Sequence, residues 1–235
     1  AKQIKKYDPK KIKVPPFLPD TTQTRHNLAN FYGCVTYFDE HFRKLTDSLK
    51  EKGLINNTIV VLTTDHGISF RRAKGSLYDP GMATTMIMRW PGKIKKNSKC
   101  NHLMQGLDLC PTLLELVGTE IPDKIQGKSY APLLTGKDYK PHDHIFLERN
   151  FHRLFDPIRA IRTKRYKLIR NFSERAYLLP GAEAKAKNKL GMDEYVNSGI
   201  PRTHFELYDL EKDPYEFNNL AENPEYKKIF NELLE

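Results

Sequence analysis

No apolar run in the 235-residue chain approaches the ~18 residues of a membrane-spanning helix, so a helical span is excluded on length alone. The opening A-K-Q-I-K-K-Y-D-P-K-K has no apolar core, so no targeting segment is legible there. It also lacks a starting Met, which fits a processed chain or a fragment. Cysteine is scarce, with three residues, Cys34, Cys100 and Cys110. Their number is odd and their spacing matches no zinc or redox motif. They read as core thiols, with Cys100 and Cys110 the one pair open to a disulfide. No internal repeat or low-complexity tract is present, which excludes solenoid and fibrous architectures. Nucleic-acid motifs and regular aromatic–basic alternation are absent as well, so a nucleic-acid module is the least favoured class.

What is present suffices for a folded core, since hydrophobic residues make up 39% of the chain and aromatics 11%. The net charge is +10, with lysines grouped at Lys2, Lys5, Lys6, Lys10, Lys11 and Lys13 and again at Lys93, Lys95, Lys96 and Lys99. Such a balance favours polyanionic partners: nucleic acid, a membrane surface, or a sulfated or phosphorylated substrate. A lysine-rich surface that only confers solubility explains the charge equally well.

Residues 1–19 are rich in Lys and Pro and read as an extended lead-in, because each proline bars helix at the residue before it. Asp20 and Thr21 then offer helix caps. Leu28, Phe31, Tyr32, Val35, Phe38, Phe42, Leu45 and Leu49 recur at three- and four-residue steps, one face of a long amphipathic helix that Gly53 stops. Asn56-Asn57 turns the chain into an apolar strand, Thr58–Thr63. Helix, short loop and buried strand together predict a parallel α/β sheet covered on both faces. A polar loop follows, then a strand Thr84–Trp90, then a helix Asp108–Val117 with Pro111 in its first turn and Gly118 at its end. Short strands are expected at Ile145–Leu147, Pro157–Arg162, Tyr166–Ile169 and Glu206–Leu210, with a terminal helix from Pro224. Residues 173–203 are polar with no clear period. The organisation expected is an α/β layer over residues 1–136 and a smaller antiparallel α+β part over 137–235.

The chemistry concentrates where the first strand stops, at T-T-D-H-G. Sites in open α/β sheets form beyond the carboxyl ends of strands. Asp65 there is placed as a hard oxygen ligand for a divalent cation, and His66 to share that ion or donate to an anion. Gly67 permits a sharp turn. Read from these residues alone, a turn with a cap is the more frequent explanation. Arg71, Arg72 and Lys74 follow within nine residues of Asp65. A cation site with several positive side chains in one loop makes an anion-binding crevice for sulfate or phosphate. A solvated basic loop remains the alternative on spacing alone. Further on, H-D-H-I-F-L-E-R-N-F-H-R sets His144, Glu148, Arg149, His152 and Arg153 in or after a short strand. These could read sugar hydroxyls or further sulfates at a pocket rim, or form a polar surface strand.

These segments carry a resemblance. T-T-D-H-G, the Lys-Gly of A-K-G-S-L-Y-D-P-G, and a strand ending W-P-G-K-I resemble the sulfatase family of the alkaline phosphatase superfamily. D-L-C-P-T-L-L-E-L-V-G, Q-G-K-S-Y-A-P-L-L-T-G, R-T-K-R-Y-K-L-I and E-L-Y-D-L-E-K-D-P-Y-E-F-N-N-L-A resemble later segments of the same family, in order across nearly the whole chain. The lead-in and the Pro-Gly after L-Y-D are most similar to N-sulfoglucosamine sulfohydrolase-like members, which points to a sulfated sugar. The resemblance implies an alkaline-phosphatase-like α/β sandwich with a smaller antiparallel subdomain. It implies that Asp65 matches a calcium ligand and that His66 stands where other members place Asn or His. It implies that Lys74 contacts the sulfate and leaving-group oxygens, with Arg71 or Arg72 sharing that task. Asp108 looks structural, as a helix cap. The family setting is usually exported or lysosomal.

The family nucleophile is a formylglycine made from the first residue of Cys- or Ser-x-Pro-x-Arg. Cys34 lies in G-C-V-T-Y, Cys100 in K-C-N-H-L and Cys110 in L-C-P-T-L, and none fits. The first metal-binding Asp pair of the family is also absent. The match starts partway through the family pattern, so the expectation is the C-terminal portion of a sulfatase, with an incomplete Ca2+ site and the formylglycine in an N-terminal half. The partners expected are a sulfated saccharide, that N-terminal half and a possible second copy of the chain, with no nucleic acid and no membrane. Two other readings stay open: a phosphodiesterase or phosphonate hydrolase on the same fold, and a non-catalytic relic that binds sulfated glycans.

Overall fold

The computed structural model describes residues 4–152, 155–173 and 203–235. The stretch read from sequence as polar and irregular, and Arg153, fall outside these residues but for its ends. Helix α1 runs Thr22–Glu51, capped by the Thr21 hydroxyl, which accepts the Thr24 N–H at 3.1 Å. Its first turns are buried: Leu28 and Ala29 pack with Ile12 and Leu18 of the lead-in, flanked by Tyr7, Val14, Phe17, Tyr32 and Phe70. Beyond Gly33 the same apolar stripe is open, and Val35, Phe38 and Leu45 are exposed.

Strand β1 (Val60–Thr63) pairs antiparallel with β2 (Met86–Arg89), with Val61 opposite Met88. This corrects the parallel, doubly covered sheet expected from the apolar run. The two strands form a two-stranded ladder among the described residues, partly exposed on their faces. An apolar run reports that a strand is suited to burial, but carries no information on the direction of its neighbour. The cysteine reading is also corrected, since Cys34, Cys100 and Cys110 are all free and exposed. Cys34 and Cys110 sit on helices whose buried positions are other residues, so their own faces point outward.

Short helix α2 (Asp79–Met82) precedes β2, and α3 (Leu109–Leu116) and α4 (Ala131–Leu134) follow it. Asp108 is fully buried and structural, as expected. Its carboxylate accepts the backbone N–H of Gln105 at 3.0 Å and of Lys128 at 2.9 Å, and lies 2.8 Å from His142 Nε2. It therefore ties the start of α3 to a segment twenty residues on, besides serving the turn.

A four-stranded antiparallel sheet follows, in order β3 (His144–Phe151), β4 (Phe155–Thr163), β5 (Tyr166–Asn171) and β6 (Phe205–Asp209). All four strands were legible from alternation, though β3 to β5 are longer than expected. The period of two divides the sheet into faces. One face carries Leu168 and Leu207, covered by Leu220 and by Phe230 of the C-terminal helix α5 (Lys227–Leu234). The other carries Ile158, Ala160, Ile169 and Tyr208, packed on Leu77 and Tyr78 from the segment before α2. Its Glu206 carboxylate gathers three donors: the Tyr78 and Tyr208 hydroxyls each donate to Glu206 Oε2 at 2.7 Å, and Asn171 Nδ2 donates to Oε1 at 2.7 Å. Burial and the Glu206 carboxylate push the Tyr208 phenol far up. The segment that follows β1 is thus built into the face of the C-terminal sheet. No helix among the described residues is long and apolar enough to cross a membrane.

Candidate active-site loop

Asp65 to Ala83 connects β1 to β2, and backbone packing fixes its shape. Gly67 donates to the Gly81 carbonyl at 2.8 Å, and a Cβ on Gly67 would lie 1.9 Å from the Pro80 oxygen. Gly81 in turn lies against the Ala73 carbonyl, which a Cβ would meet at 2.2 Å. Both glycines are thus required by close backbone approach. Ala73 is fully buried, and Lys74 N–H donates to the Ile68 carbonyl at 3.0 Å. Phe70 anchors the loop to α1 through an edge contact with Phe31, centroids 6.0 Å apart. A polar segment of this length is therefore a folded unit rather than an open connection.

The expected site residues separate into three groups. Asp65, His66 and Lys74 stand at the surface of this unit. The Asp65 side chain is 87% exposed and its Oδ2 lies 3.5 Å from His66 Nε2. His66 Nδ1 lies 2.6 Å from the Gly67 carbonyl oxygen. Lys74 is exposed and Arg71 half-buried.

Arg72, Arg149 and His152 belong to the framework of the loop. Arg72 has a left-handed backbone (φ 55°), lays its guanidinium 4.0 Å over the Tyr78 ring, and donates to the Glu216 carbonyl at 2.6 Å. Arg149 donates to the Gly75 carbonyl and to the Asp156 carboxylate. Gly75 has φ 80°, and a Cβ there would lie 3.3 Å from His152 Nδ1, so the imidazole rests against this turn. The structure therefore brings Lys74-Gly75 together with Arg149 and His152, across some seventy-five residues of sequence. The β3 bulge between Arg149 and Phe151 re-aims the strand end at this point. Arg149 and Arg72 each donate to a backbone carbonyl there, and Arg149 to a carboxylate as well, whereas sequence reading set both against substrate.

His144 is not brought to this group. It lies at the far end of β3 and has the opposite parity to Arg149, hence the opposite face, where its ring meets Phe146 at 5.1 Å. Sequence reading also missed Lys167 and Glu216, both fully buried and paired at 2.6 Å. A lysine on the inward parity of a strand was the available signal, because such a group is almost never buried unless paired.

Calcium takes ~6–8 oxygen ligands. Asp65 offers one exposed carboxylate, and among the described residues no group of three or more His, Cys, Asp or Glu converges. These residues do not by themselves fit a calcium site.

Comparison with known proteins gives a consistent result. A family model described as Sulfatase matches residues 4–119. One described as N-sulphoglucosamine sulphohydrolase, C-terminal, matches residues 65–179. An ulvan-active sulfatase of Formosa agariphila is 32% identical over 236 residues, covering 95% of this chain and 39% of its own length. The N-sulphoglucosamine sulphohydrolase of Homo sapiens is 26% identical over 250 residues, covering 97% of this chain and 50% of its own length. A solved structure of a protein in complex with its substrate D-glucosamine-2-N,6-O-disulfate matches with a TM-score of 0.70 and 25% identity, over 91% of this chain and 40% of that chain. The phosphonate monoester hydrolase of Silicibacter pomeroyi matches with a TM-score of 0.69 and 25% identity, over 93% of this chain and 42% of that chain. The chain thus spans half or less of the length of these relatives.

Proposed function

The chain belongs to the sulfatase family, and from that membership we propose that it forms part of a hydrolase acting on sulfate esters or N-sulfate groups of a sulfated sugar. The observation that carries the reading is the loop itself: an exposed lysine on a rigid turn, held by close glycine contacts and backed by the C-terminal sheet. A fixed ammonium aimed at sulfate oxygens stabilises charge that builds as the S–O or S–N bond breaks, with no reorganisation at that moment. Lys74 takes that role in the proposal, with Arg71 beside it. The sugar end of the substrate would lie toward His152. Residues 1–136 then belong to the catalytic layer and 137–235 to the subdomain that supports it.

Two parts of the machinery are not supplied by these residues. The chain contains no Cys- or Ser-x-Pro-x-Arg from which a formylglycine could form. Asp65 and His66 furnish a fraction of a calcium site. On this reading the 235-residue chain does not turn over sulfate esters alone, and an N-terminal sulfatase portion completes both.

A titration with D-glucosamine-N,6-O-disulfate tests the proposal, followed by NMR on the pure chain, with sulfate release measured in parallel. Amides of 71–76 should shift, the shifts should vanish in Lys74→Ala, and no sulfate should be released. Shifts that persist unchanged in Lys74→Ala would remove that residue from the site. Robust turnover by the pure chain would overturn the inactivity. The phosphonate monoester hydrolase likeness supports a second reading on the same fold. It would be favoured if phenyl phosphonate shifted the loop amides and the disulfated sugar did not.

A further inference from the structure

Lys167 on β5 is fully withdrawn from water. Its Nζ donates to Asp79 Oδ1 at 2.5 Å, to Glu216 Oε1 at 2.6 Å and to the Leu77 carbonyl at 3.1 Å. Glu216 Oε2 accepts the Asp79 backbone N–H at 2.7 Å. Asp79 Oδ2 accepts from Arg162 at 3.0 Å. Arg72 closes the set through the Glu216 carbonyl. Every one of these contacts except those within the cluster ends on residues 72–79, the stretch that carries Lys74. Lys167 and Arg162 balance Asp79 and Glu216 in charge, and the Lys167 ammonium has three named acceptors.

Burying the Lys167–Glu216 pair is a poor route to stability, because apolar side chains of similar volume serve as well or better. What such a group confers is register. A slip of one residue would replace Asp79 by Tyr78 or Pro80 and take from the buried Lys167 ammonium one of its two anions, leaving Glu216 alone to balance it. The backbone is also bent at this point. Of the three non-glycine residues with positive φ among those described, two are Arg72 at 55° and Glu216 at 60°. Such conformations persist where surrounding contacts over-determine them.

We propose that Lys167, Glu216 and Asp79 form a positioning unit that locks residues 72–79 onto the C-terminal sheet in one register and so aims the Lys74 ammonium. The chemical role of Lys74 rests on the sulfatase reading; the locking does not. None of the three touches substrate, and all act through the loop. The titration of the cluster agrees with its geometry. Burial pushes the Asp79 carboxyl up, but Lys167 and Arg162 outweigh it and the net shift is downward. Burial dominates at Glu216, whose net shift is upward despite Lys167.

The test compares the full chain with Lys167→Met, Glu216→Gln and the double variant, by thermal melting and by amide hydrogen exchange read by mass spectrometry. Lys167→Met leaves the Glu216 carboxylate buried without its cation, Glu216→Gln leaves the Lys167 ammonium with Asp79 as its remaining anion, and each should lower the melting temperature. The double change removes both charges and should recover most of that loss. If the unit positions the loop, residues 72–76 of the double variant should still exchange about tenfold faster or more than in the parent, while β4 and β5 keep parental rates. Parental exchange at 72–76 in the double variant overturns the proposal. So does loosening of loop and sheet in equal measure, which marks a stability role only. Should the double variant fail to fold, Asp79→Asn keeps the Lys167–Glu216 pair and should speed exchange at 72–79 alone; no change there also overturns it. These outcomes do not involve the sugar titration, so failure of the sulfatase reading leaves them standing.

Discussion

At the scale of single residues, the loop depends on positions where no side chain fits. Gly67→Ala places a Cβ 1.9 Å from the Pro80 oxygen and 3.0 Å from the Gly81 Cα. Both neighbours are backbone, so the strands of the loop must part, at a cost of about 1–3 kcal/mol. Gly53 provides the control. Its φ is 70° but nothing lies within 4 Å of an added Cβ, so Gly53→Ala meets conformational strain alone, about 1 kcal/mol. Thermal melts of the two variants should therefore separate, with Gly67→Ala the lower; equal melting temperatures would refute the close-approach account. The motif around Gly67 was legible in the sequence, and so was the exposed Lys74. The fates of Arg72 and Arg149 were not. Their partners, Glu216, Tyr78, Gly75 and Asp156, are set by sheet register and by a contact between distant segments. A one-dimensional reading sees an arginine near a candidate site and has no means of seeing which distant groups its guanidinium meets.

At the scale of elements, local pattern and local caps carried the reading well, and pairing direction did not. The alternation of β3 to β6 and the three-four spacing of α1 are properties of each segment by itself. The antiparallel ladder of β1 with β2 depends on where the connecting loop returns, which the Gly67–Gly81 contact decides. The β5–β6 pair also carries a titratable lock. Arg165, in the turn before β5, donates to both oxygens of the buried Asp209 at 3.1 and 2.8 Å, and accepts the Leu210 N–H at 2.7 Å. Hydrogen bonding from Arg165 holds the Asp209 carboxyl below its usual range against the opposing effect of burial. A depressed folded pKa means stability that is present above the unfolded carboxylate pKa of about 3.9 and lost as pH falls through the folded value. The urea midpoint of the parent chain should therefore fall as the pH is lowered from about 5 toward 2. Asp209→Asn should be less stable at neutral pH and should fall less steeply over the same window. Parallel slopes for the two proteins would show that Arg165 contributes nothing through this carboxylate.

At the scale of the whole molecule, burial is uneven. The C-terminal sheet has both faces occupied, one by α5 and one by the segment before α2. The second half of α1 and the β2 strand do not. Phe38 and Leu45 are 55% and 57% exposed, Ile87 is 58% exposed, and Phe38 stacks on Phe42 of its own helix, centroids 6.4 Å apart. An amphipathic stripe with the right period and no partner among the described residues is a surface that lowers its free energy by association. In the proposed enzyme that partner is the remainder of the sulfatase layer; in the pure chain the available partner is another copy. Sedimentation velocity should then show mass rising with concentration over roughly the micromolar to millimolar range. Replacing Phe38 and Leu45 together by Glu should suppress that rise. Because neither side chain is buried within the chain, the melting temperature should hardly change, which separates loss of association from loss of fold. A parent chain that sediments as a monomer throughout would mean that α1 is covered from within, and association unchanged in the double variant would place the contact elsewhere.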